Sequence, residues 1–270
     1  MPESNQESSS ALKDTIRREI EGFVSQYQER HETETRWREP LVGFASAADP
    51  LFVRLKTVVS PTHALPEDLL AGARTVIAFF IPFERFVAQS NIEGVLVSKE
   101  WAKAYIQTNE LIAAVCRHMK GLMESEGHSV VVTPPAHNFD REKLMSDWSH
   151  RHVAFAAGLG SFGLNNMLIT RRGSCGRLGS FLTTLGVVPD GRAVAEACLH
   201  RAGRSCARCV ERCVNGALSG RGFDRKRCYA RCLENGISFK TMGKADVCGK
   251  CVVGLPCSFT NPVGPSSPRG

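Results

Sequence analysis

Nine of the eleven cysteines fall between Cys198 and Cys257, leaving only Cys116 and Cys175 upstream. Their order is Cys198-x7-Cys206-x2-Cys209-x3-Cys213, then Cys228 and Cys232, then Cys248-x2-Cys251-x5-Cys257. A C-x2-C pair on a tight turn aims two thiolates at one site, and thiolates are soft ligands for zinc and iron. Disulfides are the other use of so many cysteines. The segment from Met1 to Glu7 carries neither the basic nor the apolar region of a secretory signal, so a cytoplasmic chain is expected. Thiols stay reduced there, which favours metal over disulfides. Zinc wants tidy sets of four at ribbon spacing, whereas a four-iron cube needs one thiolate at each iron.

The segment Cys213-Val214-Asn215-Gly216-Ala217-Leu218 resembles the Cys-Pro-x-Gly-Ala-Ile/Leu turn of bacterial ferredoxins, with valine in place of proline. Zinc sites have no need of that turn. In ferredoxin-type domains the chain crosses over, and the cysteine after the first run ligates the other cluster. The resemblance therefore implies two [4Fe–4S] clusters. Cys198, Cys206, Cys209 and Cys257 hold one; Cys213, Cys228, Cys248 and Cys251 hold the other. Cys232 is left over, on the same face as Cys228 if that segment is helical.

Charge follows the cysteines. Residues 198–231 hold nine arginines and lysines against Glu211 and Asp224, an excess equal to the net +7 of the whole chain. A basic stretch can bind nucleic acid. Two clusters with four thiolates each contribute about −4, so much of the excess can instead offset them.

Outside the cysteine region, Gly158-Leu159-Gly160-Ser161-Phe162-Gly163 matches the G-x-G-x-x-G dinucleotide fingerprint. The context is wrong for one. The segment from Trp148 to Ala157 reads as a helix where a strand is required, and no Asp or Glu occurs between Asp147 and Asp190. The glycines read better as a loop that lets a ligand or the cysteine region approach the backbone closely. Just before it, Asp147-Trp148-Ser149-His150-Arg151-His152 has two readings. One is a helix start capped by Ser146 or Asp147 with a solvated face; the other makes His150, Arg151 and His152 donors to a substrate or cofactor. Asn165 and Asn166 are loop caps or ligand contacts, and Cys175 is inert or reactive.

The positioning elements read as follows. Residues 1–10 are polar, serine-rich and expected to be disordered. Leu12, Ile16, Ile20, Phe23 and Val24 recur at helical spacing, and a longer stripe predicts a helix from Lys99 to Glu126, with Cys116 a core thiol. Strands are expected at Leu41–Ala45, Val76–Ile81 (ended by Pro82), Val130–Val132 and Phe181–Val188. Helices and strands mix without a βαβ rhythm, so the fold class is α+β. A boundary is expected at the Pro189-Asp190-Gly191 turn, dividing an 11–190 cofactor- or substrate-binding domain from a ferredoxin-like 191–270 domain. No apolar run reaches the ~18 residues of a membrane span.

With these segments in hand, residues 145–258 resemble the epoxyqueuosine reductases, relatives of the cobalamin-dependent reductive dehalogenases. Gly158 to Ile169 is similar to their Ala-Gly-Leu-Gly-x-x-Gly-Lys-Asn-x-Leu-Leu-Ile segment, Gly173 to Gly179 to their Gly-Ser-x-x-x-Leu-Gly, and Arg227-Cys228 to the Arg-Cys between their cysteine runs. The resemblance implies a cobalamin-binding α+β domain beside a two-cluster ferredoxin domain that reduces an epoxide of a modified tRNA base. It implies an electron donor such as a ferredoxin, flavodoxin or reductase. Arg151, His152, Gly158, Gly160, Gly163, Asn165 and Asn166 would contact the cofactor. Leu144 stands where the family has its catalytic Asp, which leaves Asp147 or His150 to supply the proton, and Leu164 replaces a Lys. The chain ends at Gly270, short of the family's helical repeats. Expected, then, is a relative with a different substrate. The competing readings are a non-catalytic electron carrier and an iron–sulfur nucleic-acid binder.

Overall fold

A computed structural model describes residues 3–134, 137–192 and 195–264, with the side chains of 3–6 left aside. The fold is α+β. Its centre is a four-stranded antiparallel sheet in the order β1 (Leu41–Ser46), β2 (Thr75–Pro82), β6 (Gly176–Thr183), β3 (Val130–Val132). Strand β2 is buried along its whole length, as an apolar run between two covered faces must be. One face turns Ile77, Phe79, Ile81 and Phe181 toward α1 (Glu3–Arg30) and α5 (Lys99–Ser125). The other turns Val76, Ala78 and Leu182 toward α2 (Pro50–Val58) and α6 (His150–Ala156). Short helices α3 (Pro66–Leu69) and α4 (Arg85–Ser90) close the connections.

The predicted 99–126 helix is α5, started by Ser98 Oγ accepting from the Trp101 N–H, with its stripe buried from Trp101 to Met123. The first helix differs from expectation. Residues 3–10, read as disordered, form the opening turns of α1, and Ser9 Oγ accepts from the Val188 N–H at 2.7 Å. That tertiary contact overrides a polar composition. The last strand is also shifted. Strand β6 begins at Gly176 because Gly176 and Gly179 fit against Ile81 and Phe79, where a Cβ would come within 2.4 Å of each. The apolar residues after Thr183 leave the sheet, and the Leu185 carbonyl accepts from Thr75 Oγ1.

A hairpin of β4 (Gly160–Phe162) and β5 (Leu168–Thr170) follows α6. The cysteine region then adds α7 (Arg208–Glu211), a hairpin of β7 (Leu218–Ser219) and β8 (Gly222–Phe223), and α8 (Arg225–Ser238). Ala245, Val252 and Val253 are buried in the same core as α1 and α5. No helix among the described residues is long and apolar enough to cross a membrane.

Candidate functional site

The nine clustered cysteines line two cavities. The smaller, about 360 Å³, is walled by Cys198, Cys206, Cys209 and Cys257, with Gly163 and Asn165 of the β4–β5 turn on its rim. The larger, about 1010 Å³, is walled by Cys213, Cys228, Cys232, Cys248 and Cys251, and by Trp101, Tyr105 and Arg177 from the sheet domain. The thiols influence one another in the same groups. Burial raises the Cys209 thiol, and Cys198 and Cys206 push it further. Burial, then Cys198 and Cys209, pushes Cys257 up to about 12. Cys251 is raised by burial and by Cys248, Cys228 and Cys213, and more weakly by Cys209 across the gap between cavities. Thiols held protonated this way release their protons when a cation takes their place. Among the described residues, no three His, Cys, Asp or Glu side chains close on a single ion.

The cysteine-bearing loops are fixed from the sheet domain. Asn91 Nδ2 donates to the Cys248 carbonyl, and Asn165 Nδ2 to the Cys251 carbonyl at 2.7 Å. Lys250, only 1% exposed, forms no ion pair among the described residues; its Nζ donates to the carbonyls of Asn91 and Glu93. The Ser174 N–H donates to the Cys257 carbonyl. At the ferredoxin-like turn the Leu218 N–H donates to Cys213 Sγ at 3.2 Å. Gly249 sits at φ +73°, where a Cβ would come within 2.3 Å of the Trp101 ring.

Around the larger cavity several donors lack partners. Trp101 Nε1, Arg177 Nε and Arg231 Nε are buried without a hydrogen-bond acceptor among the described residues, and all three residues line it. The Arg177 guanidinium lies 4.2 Å from the centre of the Tyr105 ring, a cation–π contact. An anionic or carbonyl-bearing group in this space would satisfy these donors. Trp101 and Tyr105 carried no signal in sequence beyond a core helix stripe. Arg177 was visible only as an unassigned position between glycines.

The residues around α6 divide. Asp147 does not line either cavity; its Oδ1 lies 2.5 Å from His137 Nδ1 and its Oδ2 accepts from Asn138 Nδ2 at 2.8 Å. His137, missed from sequence, is held through Nδ1 by Asp147. His150 accepts at Nδ1 from Ser180 Oγ, itself receiving the Trp148 Nε1 proton, and donates from Nε2 to the Pro134 carbonyl. Burial lowers its pKa to about 4, so it is neutral at pH 7 with both nitrogens engaged. Arg177 and His137 stand near enough to disfavour its protonated form further.

Ser149, not Ser146 or Asp147, occupies the start of α6. Its hydroxyl pairs with His152 Nδ1, and His152 packs on the Phe162 ring; burial takes this imidazole to about 4. Arg151 donates to the Asn166 carbonyl at 2.7 Å and stands beside the Cys228 and Cys251 thiols. Of the glycines, Gly158 and Gly160 are closed over by their own chain, with Cβ positions 2.6 Å from the Gly191 carbonyl and 2.1 Å from that of Ile169. Cys175 is buried, donates to the Val252 carbonyl, and is pushed up to about 12 by burial; Cys116 likewise.

No family model matches the sequence, and neither does any curated protein. The solved structures do match. An epoxyqueuosine reductase from Bacillus subtilis superposes with a TM-score of 0.57 at 18% identity, covering 93% of this chain and 66% of its own. An epoxyqueuosine reductase bound to an epoxyqueuosine-modified tRNA-Tyr stem loop gives 0.55 at 17%, covering 95% and 66%. A catabolic reductive dehalogenase, NpRdhA, gives 0.52 at 17%, covering 83% and 30%. The chain thus has the fold of these enzymes, as its motifs led one to expect, and spans just under two thirds of the reductases' length.

Proposed function

We propose that this chain is an iron–sulfur redox protein that passes electrons to a molecule bound in the larger cavity. The observation that carries the reading is the segregation of the thiols. The crossover set Cys198, Cys206, Cys209, Cys257 surrounds one cavity, and Cys213, Cys228, Cys248, Cys251 the other. Thiols spread around a volume suit a polynuclear cluster, where each iron takes one thiolate; zinc needs four donors converging at ~2.3 Å on one point. Two [4Fe–4S] clusters held there supply one-electron transfer at low potential. Cys213, Cys251 and Cys257 pack against one apolar cluster with Cys209, Leu218 and Leu255, which supports a route between them.

The larger cavity, walled by Trp101, Tyr105 and Arg177 as well as the thiols, offers a place for a small-molecule substrate or part of a corrinoid. Its unpartnered Trp101, Arg177 and Arg231 N–H groups would bind and orient such a ligand's carbonyl or anionic groups. His150, with both nitrogens engaged and its imidazolium disfavoured by burial, is poorly placed to supply a proton. The Asp147–His137 pair, which lines neither cavity, is the acid–base pair left beside α6, Asp147 holding the imidazole in place. With Leu144 where the reductases' acid is expected, poor turnover of epoxyqueuosine itself follows; a missing positioned acid costs about 10²–10⁴ in rate.

Metal analysis of anaerobically purified protein from cobalamin-supplied cells tests the reading. About eight irons and eight sulfides per chain are expected. Cobalt at stoichiometric level marks a corrinoid reductase, and its absence marks an electron carrier. Zinc at full occupancy would contradict both.

A nucleic-acid reading has one observation behind it. Arg201, Arg204, Arg208, Arg221, Arg225, Lys226 and Arg227 are all exposed. None forms an ion pair among the described residues. An RNA affinity that falls steeply with salt would support it.

A further inference from the structure

The larger cavity has one thiol more than a four-iron cluster requires. Cys228 and Cys232 lie four residues apart on α8, which places both on one face about one turn, or ~6 Å, apart. Their thiols are close enough for each to act on the other, and both line the cavity. The two ends of this stretch are held by different partners. At the Cys228 end, Asn215 Nδ2 donates to the Arg227 carbonyl at 2.6 Å and the Asp224 N–H to the Ala217 carbonyl at 2.7 Å. These bonds tie Cys228 to the turn that bears Cys213. At the Cys232 end, the buried Asn235 donates through Nδ2 to the Val247 carbonyl at 2.8 Å and accepts the Val97 N–H. That ties Cys232 to the loop that bears Cys248, whose thiol it also neighbours.

We infer that Cys228 and Cys232 are alternative ligands of one iron: either completes the set with Cys213, Cys248 and Cys251, and the other waits beside it. The inference rests on the iron–sulfur reading of this cavity. Exchange is balanced without an external reagent. One iron–thiolate bond breaks and another forms, the incoming thiol's proton passes to the outgoing thiolate, and no electron moves. A helix held at both ends can make the change by rotating side chains alone. The arrangement would keep a cluster bound when one thiol is oxidised or alkylated, a hazard for thiols beside an open cavity.

The test is iron and sulfide content with EPR of the reduced, anaerobically purified full chain, for C228A, C232A and the double variant. Alanine is chosen because a serine oxygen can itself ligate iron. Each single variant should retain about eight irons, with a changed EPR line shape for the altered cluster, and the double should fall to about four. Retained iron in the other cavity and an unchanged far-UV spectrum show that the double variant still folds. If either single variant alone falls to about four irons, or the double keeps eight, the inference is overturned. Wild-type protein without iron would instead overturn the reading beneath it.

Discussion

The two cavities are built from the same ligand and differ in almost everything else. The smaller holds four thiols in about 360 Å³ under the β4–β5 turn. The larger holds five in about 1010 Å³, reaches into the sheet domain, and is lined by side chains whose buried donors have no partner. A site that only relays electrons needs ligands and insulation. A site where electrons meet a substrate also needs space and donors, and among the described residues the larger cavity is the one that combines them. On the proposed reading, the smaller cavity relays electrons and the larger delivers them.

The largest effect that would break this assignment comes from removing a ligand. Cys209→Ala should halve the iron, to about four per chain, and leave the larger cavity's cluster with its EPR signal. Loss of all iron would show that the cavities are not independent. A smaller effect is expected at Gly249. An alanine there meets the Trp101 ring in a left-handed conformation, so Gly249→Ala should lower stability by about 1–3 kcal/mol and reduce occupancy of the larger cavity only. Gly220→Ala, where a Cβ meets nothing, should stay within about 0.5 kcal/mol in the same urea titration.

The smallest effect concerns the protonation of α6. His150 and His152 titrate at about 4 in the folded chain, below the ordinary 6.5. Between those values the unfolded chain binds more protons, so stability is complete above pH 6.5 and is lost progressively toward pH 4. His152→Gln should flatten the fall in urea midpoint between pH 7 and pH 5 relative to wild type. An unchanged slope would show that the imidazole is not held neutral.

Legibility in the sequence followed the range of the interaction. The long stripe of α5 is a local pattern, and the helix was readable from it; the grouping of the thiols into two ligand sets came from the ferredoxin-like crossover and stays a proposal. The glycine run was visible, but its meaning was not. Gly158 and Gly160 face Gly191 and Ile169, contacts set by tertiary packing. Strand β6 was misplaced for the same reason, because Gly176 and Gly179 weaken a strand pattern while fitting Phe80 and Phe79 closely. His137 was passed over as a loop residue, since its partner Asp147 comes ten positions later. The α1 start was hidden because Ser9 becomes informative only beside Val188.

The central claim, two four-iron clusters in separate but neighbouring cavities, is tested most directly by EPR of the dithionite-reduced, anaerobically purified chain. The account predicts a signal from about two reduced clusters per chain, broadened by magnetic interaction between them because Cys251 packs against the apolar cluster that holds Cys209. A single unbroadened cluster signal, or an EPR-silent protein carrying zinc, would contradict it.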